Sequence, residues 1–249
     1  MKAPNQSFYE EIHDKYWKSN SDDSEAKSLF SDRIEKSKSL ITPMKARKVL
    51  NVGFESVKVA AYLVSDFELE EYILVDIDEN LCRIPDELST KGYRSINMDV
   101  SAQNIPFDDD YFDVVYAGEI IEHLWNPDFV LREMYRVTKV GGSVIITTPN
   151  LSSWYNRILL LIGLTPINIE LSSEVIIGRR FKFLGNGSPP VGHIRVYTKQ
   201  GLTELLKKES ISKYKLLGYK RGDVRFDCIF SHFPSLATGI IIDIKKAPS

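Results

Sequence analysis

Acidic side chains follow two apolar segments of this 249-residue sequence, at the points where those segments end. Asp76 and Asp78 close the segment YILVDID, and Asp99 closes the segment RSINMD. An acid that ends the second strand of a nucleotide-binding sheet can accept hydrogen bonds from both hydroxyls of a ribose. Each acid alone could equally cap a helix or a turn. Their shared position indicates a ligand site.

A second group, Glu119, Glu122 and His123, has the spacing i, i+3 and i+4. If a helix begins at Glu119, these three side chains share one face of it. Imidazole titrates near neutral pH, so His123, or the more distant His193, could act as a general base. A structural, hydrogen-bonded role stays open for either histidine. We predict both as candidate catalytic residues.

The elements that would position these side chains alternate between strands and helices from Lys48 onward. Helices are predicted over 56–65 and 126–138, and we expect Gly141 and Gly142 to end the second one. Strands are predicted over 48–54, 72–78, 94–100, 112–118, 143–148, 213–220 and 239–246. Most of these strands are continuous apolar runs, which indicates burial on both faces. The predicted fold class is α/β, a Rossmann-like seven-stranded, mostly parallel sheet flanked by helices.

Two segments lie outside this alternation. Residues 1–45 show helical spacing, and we predict an N-terminal helical cap on an α/β domain that spans 46–249. Residues 151–192 mix aromatic, aliphatic and cationic side chains after Pro149. A connection of that length is more often functional than idle, so we predict that it covers the substrate. Thr198 is predicted to cap the helix that follows it.

The charge balance and the two cysteines indicate which binding partners and which cellular compartment to expect for this chain. The chain has 32 basic and 34 acidic residues, a net charge of −2, and so lacks the basic excess of a dedicated nucleic-acid binder. Cys82 and Cys228 lack metal-site spacing, and we interpret them as reduced thiols. The sequence shows neither a signal peptide nor an apolar run long enough to span a bilayer. We predict a cytoplasmic protein; its oligomeric state stays open.

The block from Ile96 to Asn150 resembles the central block of class I S-adenosylmethionine-dependent methyltransferases. The resemblance covers about residues 48–150, and HIRVYT with the helix after it extends it. The landmarks, in family order, are Asp99, Ile105-Pro106-Phe107, Phe112-Asp113-Val114-Val115, Glu122-His123, Arg136-Val137 and Gly141-Gly142. Several motifs in the right order are far more specific than a lone glycine loop. The resemblance implies methyl transfer from S-adenosylmethionine to a small-molecule, glycan or lipid-precursor acceptor.

The resemblance also implies individual cofactor contacts. Asp76 would bind the ribose hydroxyls, Asp99 would accept from the adenine amino group, and Gly53 would let the first turn approach the methionine portion. Gly118 and Glu119 would flank the transferred methyl group. The predicted contact set is Asn51, Gly53, Glu55, Asp76, Ile77, Asp99, Val100, Gly118 and Glu119.

The first turn departs from the family pattern. Asn51 stands where the family has an acid, and of the usual glycines only Gly53 is present. Glu55 brings a carboxylate that could repel the cofactor's carboxylate or pair with its ammonium or sulfonium. A non-catalytic binding or scaffold subunit with this fold is therefore an alternative. A nicotinamide-dependent oxidoreductase is a weaker alternative, because a pyrophosphate needs the multi-glycine turn that is missing.

Metal binding is a further alternative. Small-RNA 2′-O-methyltransferases and ubiquinone-pathway O-methyltransferases hold a divalent metal with a similar Glu-x-x-Glu-His group and later histidines. Here the corresponding residues would be Glu119, Glu122, His123 and His193. Such motif matches often mislead, and we predict no metal site.

Overall fold

The computed structural model of the protein describes residues 23–53, 59, 62–64, 68–79, 82, 92–221 and 225–248. The helices are α1 (Asp23–Ile41), α2 (Pro127–Val137), α3 (Trp154–Leu161), α4 (Lys199–Lys208) and α5 (Arg225–Phe230). The strands are β1 (Lys48–Val52), β2 (Glu71–Asp76), β3 (Tyr93–Asn97), β4 (Phe112–Gly118), β5 (Thr138–Pro149), β6 (Tyr214–Tyr219) and β7 (Gly239–Lys245). Short 3-10 turns cover Thr42–Met44, Ile121–His123 and Lys182–Leu184.

The seven strands form one sheet in the order β3-β2-β1-β4-β5-β7-β6. Strands β1 to β5 pair in parallel, whereas β7 runs antiparallel to both β5 and β6. This confirms the predicted fold class. The strand order reverses beside β1, where β2 lies on one side and β4 on the other, and such a switch point is where open α/β sheets bind ligands.

Two apolar layers pack on opposite faces of the sheet. On one face, Val115 and Ala117 of β4 pack with Leu131 of α2 and Leu202 of α4. On the other, Val114 and Tyr116 of β4 pack in a cluster that includes Ile34 and Ile41 of α1. Alternate residues of one strand therefore serve opposite layers, as the continuous apolar runs predicted.

Helix α2 confirms its predicted start, because the side chain of Asn126 accepts a hydrogen bond of 3.2 Å from the Phe129 N–H. Thr198 likewise caps α4 by accepting from the Gly201 N–H at 3.1 Å. The predicted end of α2 at residue 138 is within one residue of the observed end, but the helix-stopping role predicted for Gly141 and Gly142 was wrong. The helix ends at Val137 and β5 begins directly at Thr138, so Gly141 and Gly142 lie within β5.

The N-terminal cap is described from Asp23 onward, and the predicted segment before it lies outside the described residues. Helix α1 is tied to the far edge of the sheet by two hydrogen bonds. Lys36 Nζ donates to the Gly218 carbonyl at 2.8 Å, and the carboxylate of Asp32 accepts from the Lys220 N–H at 2.8 Å. This helix therefore covers one face of the sheet. Among the described helices, none combines the length and the apolarity needed to cross a bilayer.

Candidate functional site

The predicted ligand-binding residues gather at the carboxyl ends of the parallel strands. Gly53 follows β1, and its N–H donates to the Val75 carbonyl of β2 at 2.9 Å. Asp76 ends β2 and pairs in register with Asn97, two residues before Asp99. Gly118 ends β4 on the other side of β1. The sheet register alone brings these positions to one edge.

The first turn needs glycine at position 53. Its φ of 77° lies in the left-handed region, and a Cβ there would lie 2.7 Å from the nearest side-chain atom of Ile120. The turn therefore packs directly against the segment that follows β4. Glu55, which the sequence analysis placed in this turn, lies outside the described residues.

Asp76 and Asp99, which follow β2 and β3, each accept a hydrogen bond from the backbone of the loop that follows the strand. Asp76 Oδ1 accepts from the Asp78 N–H at 2.8 Å, and Asp99 Oδ1 accepts from the Ser101 N–H at 2.9 Å. Both carboxylates are thus oriented by local backbone donors. Ile77 is half-buried, and the Val100 side chain is buried in the core, so Val100 faces a ligand only through its backbone.

Asn51 has a buried side-chain oxygen that finds no partner among the described residues. The side chain is 3% exposed, and its Oδ1 receives no hydrogen bond within the part of the chain that the structure describes. A buried acceptor of this kind is rare in folded proteins and is normally satisfied by a ligand or water. An ammonium group placed at the first turn would supply the missing donor.

Glu119 lies in a strained turn after β4, with a φ of 52°. Its Oε1 accepts from the Tyr219 hydroxyl at 2.9 Å and from the Thr147 hydroxyl at 2.9 Å. Arg33 of α1, which is completely buried, donates to the same Thr147 oxygen at 3.3 Å. The side chain of Glu119 is therefore positioned by α1, β5 and β6 together.

The expected shared face of Glu119, Glu122 and His123 was wrong. The helix is only a 3-10 turn over Ile121–His123, and Glu119 precedes it with left-handed backbone. Glu119 consequently turns toward Thr147, whereas Glu122 and His123 group with His193.

His193 reaches His123 because the chain before α4 pairs with this turn. The Glu122 carbonyl accepts from the N–H groups of Ile194 and Arg195, at 3.1 and 3.0 Å. The rings of His123 and His193 then lie 5.0 Å apart, centre to centre. One ligand atom each of Glu122, His123 and His193 lies within 4.8 Å of the others.

Both imidazoles are oriented by backbone carbonyls. His123 Nδ1 lies 2.9 Å from the Gly192 carbonyl, and His193 Nδ1 lies 3.3 Å from the Asn168 carbonyl. A carbonyl only accepts, so each Nδ1 carries the hydrogen and each Nε2 is an acceptor. Burial lowers the pKa of both side chains to about 4, with the neighbouring histidine as the second cause for His123. Both rings are therefore neutral at pH 7.

Glu122 was not predicted as a catalytic or cofactor-binding residue. Its carboxyl is 2% exposed, one oxygen accepts from the Thr148 hydroxyl at 3.0 Å, and the other has no partner among the described residues. Burial, and next the charge of Glu119, raise the pKa of Glu122 well above its usual range. Its position in a Glu-His pair after a strand was the available signal.

Glu122, His123 and His193 could hold a divalent cation, since two neutral imidazoles and a carboxylate are a common donor set. The same three groups could instead accept a proton from a bound acceptor. The structure brings them together and leaves the prediction of no metal untested.

Glu170 supports this group from the insert. Its carboxylate accepts from three successive N–H groups, those of Val191, Gly192 and His193, at 2.8, 2.9 and 3.1 Å. Sequence reasoning missed Glu170 and Asn168, because nothing in the insert pattern marks which polar residue folds back onto position 193.

The comparisons with known proteins agree with this architecture. Residues 50–146 match the family model described as a methyltransferase domain. A possible histamine N-methyltransferase from Thermotoga maritima superposes with a TM-score of 0.58 at 15% identity, covering 96% of this chain and 99% of that one. Residues 50–146 therefore match a methyltransferase domain, and the chain has the fold of S-adenosylmethionine-dependent methyltransferases. The match of residues 50–146 to a methyltransferase domain argues against the nicotinamide alternative.

Two further matches add to the methyltransferase assignment. An S-adenosylmethionine-dependent methyltransferase from Aquifex aeolicus superposes with a TM-score of 0.56 at 15% identity, over 94% of this chain and 96% of that one. The ubiquinone/menaquinone biosynthesis C-methyltransferase of Burkholderia cenocepacia is 40% identical over 72 residues. That segment is 28% of this chain and 30% of the relative, so the chain aligns with less than a third of the curated relative.

Proposed function

We propose that this protein transfers a methyl group from S-adenosylmethionine to a small-molecule or lipid-precursor acceptor. The observation that carries the proposal is the alignment of Gly53, Asp76, Asp99 and Glu119 along one edge of a sheet with the methyltransferase strand order. The orphaned Oδ1 of Asn51 at the same edge fits a ligand that carries an ammonium group.

When bound, the cofactor supplies an electrophilic methyl group on a sulfonium. The side chains of the protein position the reactants and supply negative charge beside them. Asp76 and Asp99 provide oriented carboxylates for hydroxyl and amino groups. In-line positioning of two bound reactants supplies most of the rate in a displacement of this kind.

An acceptor that loses a proton needs a base beside the transfer site. His123 and His193 present neutral Nε2 atoms, but a pKa of about 4 makes each a weak proton acceptor. Glu122 is the strongest base of the three, because burial raises the pKa of its carboxyl well above the usual range. We assign proton acceptance to this group, with Glu122 as its principal member.

The size of the acceptor is suggested by a cavity beside His193. Its volume is about 190 Å³, and its lining includes Glu170, Leu171, Ser172, Pro190 and Ile194. Drug-sized ligands occupy roughly 300–1,000 Å³, so this cavity suits a single ring or a short head group. A relative named for ubiquinone and menaquinone biosynthesis supports a ring acceptor of this kind. The mixed lining leaves a glycan head group as the second acceptor class.

Calorimetric titration with S-adenosylhomocysteine tests the first half of the proposal. The wild-type protein is expected to bind, and Asp76→Asn is expected to weaken binding at least tenfold, because the neutral amide loses a charge-assisted hydrogen bond. Asp108→Asn, a matched change at an exposed loop position, is expected to leave binding unchanged.

Transfer of a labelled methyl group to hydroxylated aromatic compounds tests the second half. Binding of S-adenosylhomocysteine without transfer to any of these compounds would exclude the ring acceptor and keep the cofactor site. The departure of the first turn from the family pattern at Asn51 favours one competing function, a non-catalytic scaffold. No binding at millimolar ligand would establish that alternative.

A further inference from the structure

The segment between β5 and α4 exposes a cluster of large apolar side chains, which we call the apolar tip. Three of them lie at the carboxyl end of α3, and the others lie near the 3-10 turn at Lys182–Leu184. The apolar tip consists of Leu160, Leu161, Ile162, Ile177, Phe181 and Phe183. Leu161 is 86% exposed and Phe183 is 82% exposed, which is unusual for side chains of this size.

The two halves of the apolar tip meet at one junction. The Thr165 N–H donates to the Gly178 carbonyl at 2.9 Å, and a Cβ on Gly178 would lie 2.2 Å from Thr165 Oγ1. The rings of Phe181 and Phe183 stack with their centres 5.3 Å apart. The apolar tip is therefore one feature of the surface, held by backbone contacts.

Cationic side chains accompany the apolar tip. Arg157, Arg180 and Lys182 are exposed, and the Arg180 guanidinium lies 5.8 Å from the centre of the Phe181 ring. Residues 151–192 contain four cationic and two acidic side chains, a net charge of +2, whereas the whole chain carries −2. One of the two acids, Glu170, is buried and accepts from backbone N–H groups. The exposed charge here is opposite in sign to that of the protein as a whole.

We propose that the apolar tip docks on the surface of a bilayer that contains anionic phospholipids. Apolar side chains flanked by arginine and lysine match the two layers of such a surface, since the side chains enter the acyl boundary while the cations meet the phosphates. A second copy of the chain fits less well. A two-fold interface would bring Arg180 and Lys182 of one copy toward the same cations of the other.

Docking of the apolar tip would also bring the cavity beside His193 close to the membrane. The insert that carries the apolar tip also supplies Asn168 and Glu170, which hold His193. Docking would therefore place the cavity near the head-group layer, where a lipid precursor is found. The docking itself does not depend on methyl transfer.

Vesicle co-sedimentation of the full chain tests the proposal. Vesicles of phosphatidylcholine with one quarter phosphatidylglycerol are compared with vesicles of phosphatidylcholine alone. The wild type is expected to bind the anionic vesicles at least tenfold more tightly, and added salt is expected to reduce that binding, because the phosphates are screened.

Two kinds of variant separate the apolar and the ionic contributions. The double variant Leu161→Ser/Phe183→Ser is expected to lose at least tenfold in vesicle binding, and Val140→Ser, half-exposed at the amino end of β5, is expected to lose none. Arg180→Glu/Lys182→Glu should lose binding to anionic vesicles, whereas Lys213→Glu/Lys215→Glu, with the same change in net charge, should retain most of it.

Three outcomes would overturn the proposal. The first is that the wild type does not sediment with anionic vesicles. The second is that the apolar-tip variants bind these vesicles as well as Val140→Ser does. Alternatively, sedimentation analysis without lipid shows a dimer that Leu161→Ser/Phe183→Ser dissociates, which would assign the apolar tip to self-association. Thermal unfolding of each variant shows whether the fold is kept, and all seven changed residues lie at exposed positions.

Discussion

The guanidinium of Arg33 donates a hydrogen bond of 2.9 Å to the hydroxyl of Tyr116, across 83 residues of sequence. Arg33 belongs to α1 and Tyr116 to the central strand β4, and both side chains are buried. The bond also explains Gly118, where a Cβ would lie 2.5 Å from the Tyr116 hydroxyl. One buried contact thus joins the N-terminal cap to the strand that leads to Glu119.

Replacement of Arg33 by Met should lower the free energy of unfolding by about 3 kcal/mol. The change removes a charged donor and leaves buried acceptors on Tyr116 and Thr147 without it. Arg47→Met, at a position whose side chain is 67% exposed, should change stability by no more than about 0.5 kcal/mol. Urea denaturation at pH 7 measures both. Equal losses in the two variants would contradict the structural role of Arg33.

Replacement of Asn51 by Asp should tighten the binding of S-adenosylhomocysteine by about tenfold. A carboxylate at this buried position would receive the ligand's ammonium as a charge-assisted donor, which is stronger than a neutral pair. Asn51→Leu should weaken binding, because the acceptor is removed. Asn104→Asp, in an exposed loop, is the control and should leave affinity unchanged. Calorimetric titration gives the three affinities, and tighter binding by Asn51→Leu would place the ligand elsewhere.

The hydrogen bonds of Glu133 should make the free energy of unfolding fall at acid pH. Its carboxylate accepts from the Ile105 N–H at 2.9 Å and pairs with Arg136, which also donates to the Ile105 and Phe107 carbonyls. The side-chain hydrogen bonds from Arg136 lower the pKa of Glu133 below its usual value of 4.5. Its stabilisation is therefore present above pH 4.5 and is lost as the pH falls through the lowered value.

Glu133→Gln should reduce the free energy of unfolding by about 2 kcal/mol at pH 7, with the difference shrinking below pH 4.5. Denaturant unfolding of both proteins at several pH values provides the comparison. If the difference in unfolding free energy between the two proteins stays constant down to pH 3, the charge of the Glu133 carboxylate does not contribute to stability. Glu204→Gln, on the exposed face of α4, serves as the matched change.

The two half-buried histidines give the stability of the protein a second pH dependence, which we expect between pH 6.5 and pH 4. The pKa of His193 falls from 6.5 to about 4 on folding, because burial disfavours the charged ring. The unfolded chain thus takes up a proton below pH 6.5 that the folded chain takes up only near pH 4. Stability should fall across this interval by up to about 3 kcal/mol for this one group.

The test compares the wild type with His193→Phe in a metal-free buffer with chelator. The variant should lose less stability between pH 6.5 and pH 4, and His232→Phe, at an exposed position, should behave as the wild type does. Parallel pH profiles for all three proteins would show that His193 is not buried neutral in solution. Repeating the wild-type measurement at pH 7 with added Mn²⁺ reports directly on cation binding by Glu122, His123 and His193.

Much of the sheet could be predicted from local sequence. Strand β4 was predicted with its observed bounds, and the other predicted strands overlap the observed ones. The predicted start of β5 at residue 143 was wrong because Gly141 and Gly142 resemble a helix stop, whereas pairing with β4 already begins at Thr138, opposite Phe112. The pairing partner, not the local glycines, sets where that strand starts.

The candidate site was only partly predictable. Asp76 and Asp99 could be placed from the ends of their strands, since parallel strands end at a common edge. Glu119 and Glu122 could not be separated by spacing, because their different directions follow from one residue with left-handed backbone. Glu170 could not be found at all, since its three backbone partners lie more than 20 residues away in a segment without regular structure.

The sequence by itself determined the class of fold, the order of strands and helices, and the methyltransferase match over residues 50–146. These follow from short-range patterns, in which burial on both faces demands continuous apolar runs and turns demand particular residues. Only the tertiary structure decided that Arg33 meets Tyr116 and that His193 meets His123. The first pair lies 83 residues apart in the sequence and the second pair 70, and both contacts depend on sheet register and on how loops fold back. Such register is a property of the assembled sheet, in which each strand's position is set by its neighbours.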